Sequence, residues 1–87
     1  MNIIYTMHAL ERIRQRGINK NLVLKCLSES DKDEELENVR RCIKKINDKL
    51  IVVIYRKEDN NFIIITAYIT TKVHKYFDKI SRSFFSL

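Results

Sequence analysis

The stretch Asn38-Val-Arg-Arg-Cys-Ile-Lys-Lys-Ile46 decides the fold, because its two readings give different proteins. As a helix it belongs to a run in which Leu36, Val39, Ile43, Ile46 and Leu50 recur at helical spacing. As a strand it alternates poorly. Yet it stops at Asn47-Asp48, a turn signal, and a plain strand follows. Periodicity leaves both readings open, and the turn favours a strand that doubles back on its successor.

Downstream the reading is firmer. Residues 49–57 (Lys-Leu-Ile-Val-Val-Ile-Tyr-Arg-Lys) are β-branched and bounded by turns. After the turn Glu58-Asp59-Asn60-Asn61, residues 62–70 (Phe-Ile-Ile-Ile-Thr-Ala-Tyr-Ile-Thr) read as another strand. Strict alternation puts Ile63, Ile65, Ala67 and Ile69 on one face and Phe62, Ile64, Thr66, Tyr68 and Thr70 on the other. The second set turns polar toward its end, as a face does when it leaves a core and enters a cleft. Thr70 or Thr71 can cap a last helix from Lys72 to about Ile80, with Val73, Tyr76, Phe77 and Ile80 as its apolar stripe. A tail, 81–87, carries Phe84 and Phe85.

Upstream, residues 29–37 hold six acids and one base. This segment reads as an exposed connector, or as one that folds back over basic surface or marks a partner contact. Residues 18–28 read as a helix capped by Asn19, with Ile18 stapled onto Val23 and with Leu22, Val23, Cys26 and Leu27 apolar. A first helix, 8–16, has Thr6 as its cap, Ala9, Leu10 and Ile13 as its core face, and Gly17 at the left-handed position that ends it. So short a connection predicts a helical hairpin. Residues 2–5 read as an extended lead-in.

Eighty-seven residues make one domain with a modest core. No apolar run approaches the ~20 residues that span a bilayer. No basic segment followed by a long apolar run opens the sequence, which is the expectation for a cytoplasmic protein. Cys26 and Cys42 have neither the spacing nor the histidine neighbours of a metal site and read as small buried thiols. The net charge is +6, and the acidic segment alone carries −5, so the rest carries +11. A small domain this basic is attracted to polyanions, nucleic acid first among them. Nothing matches a P-loop, a Rossmann glycine pattern, a nucleophile elbow or a zinc site, so no metal or cofactor is expected.

His8, Arg12 and Arg16 recur every fourth residue and share one flank of the first helix. A residue type that titrates near neutrality, beside two fixed cations, suits metal-free cleavage of RNA. That reaction needs a base for the 2′-hydroxyl, cations for the pentavalent phosphate and an acid for the leaving 5′-oxygen. Arg12 and Arg16 fit bidentate phosphate contact. Tyr68, Thr70 and Thr71 add hydroxyl donors, and Lys72 and Lys75 add cations. The plainer alternative is a solvated basic flank with a surface histidine.

Two motifs carry a resemblance. His8-Ala9-x-x-Arg12-x-x-x-Arg16-Gly17-Ile18 opens the chain, and Thr66-Ala67-Tyr68-Ile69-Thr70-Thr71-Lys72, then Lys75-Tyr76-Phe77, closes it. Together they resemble a small family of toxin-like domains placed with the RelE/ParE (barnase/colicin/RelE-type) toxin superfamily. The resemblance implies an α+β fold: an N-terminal helical hairpin packed on a three- to four-stranded antiparallel sheet, with a C-terminal helix. It moves residues 38–46 to the first strand of that sheet. It implies a metal-independent endoribonuclease that cuts mRNA or tRNA and leaves a 2′,3′-cyclic phosphate. RNA, on or off the ribosome, and a cognate antitoxin would be its partners. His8, Arg12, Tyr68 and Thr71 would be catalytic, and Arg16, Thr70, Lys72 and Lys75 would bind phosphate. A non-catalytic nucleic-acid-binding module and a gyrase-poisoning type of protein-interaction domain are the alternatives.

Overall fold

Residues 50–53 are wholly buried, which requires a strand covered on both faces. The structure, a computed structural model, describes residues 2–77. The chain runs β1 (Asn2–Tyr5), α1 (Met7–Gln15), α2 (Lys20–Glu29), β2 (Lys32–Glu35), β3 (Arg40–Ile46), β4 (Lys49–Glu58), β5 (Asn61–Thr70) and α3 (Val73–Phe77). The five strands form one sheet in the order β1-β5-β4-β3-β2. β2, β3, β4 and β5 pair antiparallel in turn, and β1 lies parallel to β5.

The expected fold is therefore corrected. The sheet has five strands rather than three or four, and it is mixed rather than antiparallel. The lead-in is a strand, with Ile4 beside Ile63 and Tyr5 beside Ile64. The acidic connector is also a strand: across β2–β3, Glu34 faces Arg41 and Glu35 faces Arg40, so opposite charges hold a segment of poor strand propensity in the ladder. The C-terminal helix, expected from Lys72 to about Ile80, is described over five residues as α3 (Val73–Phe77). Ile80, the side chain of Phe77 and the tail 81–87 lie outside the described residues. Residues 38–46 do contain a strand, β3, hydrogen-bonded on both sides.

Local signals set the helix ends. Thr6 Oγ1 accepts from Ala9 N at 3.0 Å and donates to Ile64 O at 3.0 Å, so one hydroxyl caps α1 and pins it to β5. Gly17 has φ +63°, with Ile18 N donating to Ile13 O and Gly17 N to Arg14 O, a Schellman ending. Asn19 Oδ1 accepts from Asn21 N at 2.7 Å and starts α2.

The sheet separates two clusters. On one face Ala9, Ile13, Ile18, Val23 and Cys26 of the two-helix segment pack against Cys42, Ile51, Val53, Tyr55, Ile64 and Ala67. On the other, Ile43, Leu50 and Val52 meet Tyr76, with Ile54, Tyr68 and Val73 at the margin. Strict alternation along β5 fails. Tyr55 pairs with Ile64 and Ile54 with Thr66, leaving Ile65 as an extra residue in a bulge. Ile64 and Ala67 therefore both face the helices, whereas Tyr68, opposite Val52, points away from them.

Candidate nucleic-acid interface

The flank 8–12–16 of α1 lies beside its buried residues Ala9 and Ile13. His8 and Arg12 are exposed, and Arg12 Nε donates to His8 Nε2 at 3.4 Å. With Nε2 accepting, neutral His8 carries its proton on Nδ1. Arg16 Nη1 donates to Ala67 O at 2.8 Å and so fixes the far end of the flank to β5. The opposite side of α1 borders a shallow depression of about 560 Å³ lined by Met7, Leu10, Arg14 and Lys20 among others, and it includes none of the three.

The remaining expected site residues lie elsewhere. Tyr68 faces the second cluster, and its hydroxyl is 2.8 Å from that of Tyr76. Burial, then the Tyr76 hydrogen bond, pushes the Tyr68 phenol up to about 12, against a lowering by Arg41 and Arg16. Thr70 Oγ1 accepts from Lys72 N at 3.0 Å, which shapes the turn after β5. Thr71, Lys72 and Lys75 are exposed, with Lys75 Nζ 5.8 Å from the centre of the Tyr76 ring. The structure thus brings together His8 and Arg12 and anchors Arg16 to β5. It places Tyr68 on the other side of the sheet from the helix that carries them.

Tyr76 is the participant that the sequence reading undervalued. Beyond its place in the apolar stripe, it bonds Tyr68, its ring centre lies 5.3 Å from the Arg41 guanidinium, and its carbonyl accepts from Lys32 Nζ at 2.8 Å. Its hydroxyl, which the neighbouring Phe77 lacks, offered the signal: a buried tyrosine hydroxyl needs a partner. The acidic strand is spoken for as well. Arg41 Nε donates to Glu34 Oε1 at 2.6 Å, Arg40 Nε lies 3.4 Å from Asp33, and Asp31 accepts from Lys45 N at 2.7 Å. Among the described residues, no group of three or more His, Cys, Asp or Glu is placed to hold a metal ion, and no helix is long and apolar enough to cross a membrane.

Fold and flank define a small basic domain in which a two-helix segment covers one face of a five-stranded mixed sheet. The chain belongs to the family described as Domain of unknown function (DUF4258), whose model matches residues 5–69. That span holds His8, Arg12, Arg16 and Tyr68 and stops short of Thr70, Thr71, Lys72 and Lys75. Neither the curated proteins nor the solved structures give a match.

Proposed function

We propose that this chain is a metal-independent endoribonuclease of the toxin type, acting in the cytoplasm on mRNA or tRNA and held in check by a cognate antitoxin. The observation that carries the reading is the exposed His8–Arg12 pair, with Arg16 two turns along the same flank and tied to β5. The resemblance to RelE/ParE-type toxins supports it. An incoming phosphate engages the Arg12 guanidinium, which releases the Nε2 lone pair of His8. Nε2 takes the 2′-hydroxyl proton, the 2′-oxygen bonds to phosphorus, and the bond to the 5′-oxygen breaks. That oxygen takes a proton from water, His8 returns its own to the solvent, and the products are a 2′,3′-cyclic phosphate and a 5′-hydroxyl. Arg12 and Arg16 hold the charge that develops on the phosphoryl oxygens. Thr70, Thr71, Lys72 and Lys75 extend the anion track past the end of β5. Tyr68, on the far face, serves the fold through Tyr76 rather than the reaction.

The test is an RNA cleavage assay with and without ribosomes, with product ends analysed for the cyclic phosphate. His8→Ala is expected to abolish cleavage while unfolding stability stays within roughly 0.5 kcal/mol, because the side chain is exposed. A wild-type protein that cuts no RNA in either condition defeats the reading. One observation favours a second reading, a non-catalytic RNA-binding module: the sheet separates Tyr68 from His8. In that case RNA binding survives in His8→Ala and no cyclic ends form.

A further inference from the structure

We propose that Cys26 and Cys42 form a dithiol–disulfide pair, a covalent modification site that bolts α2 to β3 when the protein meets a two-electron oxidant. They are the chain's only two cysteines, sixteen positions apart and on different elements, yet their sulfurs lie 3.2 Å from each other. Both are free thiols with 0% and 1% exposure. Two small residues filling a core need not point sulfur at sulfur; these do, with Cys26 Sγ also 3.8 Å from Ile51 O. A disulfide requires ~2.05 Å between sulfurs, so the pair must close by only about 1.2 Å.

The same environment keeps the closed pair quiet. The hydrogen bond to Cys26, then burial, raises the Cys42 thiol well above its ordinary range. Val23, Ile51 and Val53 share the surrounding core cluster, and water-borne oxidant has no direct path. Oxidation therefore begins when α2 lifts from the sheet in a local opening. α2 is bounded by the Gly17–Asn19 turn and the short link to β2, so it can lift without parting the central strands. In the open state one thiolate attacks hydrogen peroxide, the O–O bond breaks, and a sulfenic acid and a water result. The second thiolate then attacks the sulfenic sulfur, the S–O bond breaks, and a second water leaves. The two thiols lose two protons and two electrons in all, and the peroxide becomes two waters. Thiol reductants reverse the bond, so in a reducing compartment the pair rests open.

The inference does not depend on the ribonuclease reading. The full chain, fully reduced, is treated with hydrogen peroxide, alkylated after denaturation, and digested with trypsin without reductant. A cross-linked peptide joining residues 26–32 to 42–44 is expected, with both thiols protected from alkylation and both restored by dithiothreitol. The melting temperature of the oxidised protein should rise by roughly 10 °C or more and fall back on reduction, since the bond removes freedom from the unfolded chain. Cys26→Ala and Cys42→Ala should each lose both effects. Should either variant fold poorly, the wild-type peptide map still decides. Thiols that stay fully alkylatable after oxidant, that end as separate sulfinic or sulfonic acids, or that link only between two molecules overturn the proposal.

Discussion

Two tyrosines on opposite faces of the sheet are held in their neutral form. Tyr55 donates to Asp33 Oδ2 at 3.0 Å, and Tyr68 shares a hydrogen bond with Tyr76. Burial is the leading cause in both cases and pushes each from 10.0 up to about 12. The folded-state value lies above the unfolded one, so the associated stability is fully present below pH 10 and drains away as pH rises through about 12. Tyr68→Phe cannot ionise. At neutral pH the variant should be weaker by ~1 kcal/mol, the loss of the Tyr76 hydrogen bond. Between pH 10 and 12 its stability should fall less steeply than the wild type's. Urea midpoints followed up the pH scale check this, and parallel curves would rule it out. The direction in which Tyr68 points was not legible in the sequence. Read with strict alternation, Tyr68 shares a face with Ile64 and would look toward α1. The single extra residue at Ile65 turns it to the other side, and nothing in Phe-Ile-Ile-Ile-Thr-Ala-Tyr announces a bulge. That one insertion is why Tyr68 does not face the helix that carries His8.

Elements with local signals were legible, and elements made by distant pairing were not. Thr6, Gly17 and Asn19 act within a few residues of themselves, so the ends of α1 and α2 lie within two residues of those expected. Strand β1 is four residues with no measurable period, and only β5, some sixty positions away, makes it a strand. Strand β2 is harder still, since Lys-Asp-Glu-Glu opposes every strand preference until Arg40 and Arg41 stand across from it. The individual carboxylates of β2 are unequal. Glu34 is 25% exposed and holds Arg41, itself 18% exposed and set against the Tyr76 ring, whereas Glu35 is 74% exposed. Glu34→Ala leaves a half-buried guanidinium short of its carboxylate and should cost about 1–2 kcal/mol. Glu35→Ala should stay within ~0.5 kcal/mol. Denaturant unfolding of the two variants separates them, and equal losses would show that β2 is held by its backbone ladder alone.

At the scale of the whole molecule, the sheet order sorts charge. Strand β2, whose carboxylates Asp33, Glu34 and Glu35 are engaged by Arg40, Arg41 and Lys32, forms one edge, and β1 forms the other. Arg12, Arg14, Lys20 and Lys25 lie on the two helices and Arg16 caps the first, while Glu11 and Glu29 are the acids that those helices carry. A polyanion arriving from solution is therefore drawn to α1 and α2 rather than to the β2 edge, where the cations are already paired with carboxylates. Binding to a short single-stranded RNA should weaken as salt rises, because each phosphate contact releases a counterion. Arg12→Gln should lower the slope of log K against log salt by about one-half to one, and Lys49→Gln, at the start of β4, should leave it unchanged. Titrations of the three proteins by fluorescence anisotropy at several salt concentrations give those slopes directly. A common slope would move the RNA off α1, and with it the role assigned to His8. An affinity indifferent to salt would remove nucleic acid as the partner altogether, since a +6 domain cannot hold a phosphate backbone without releasing its ions.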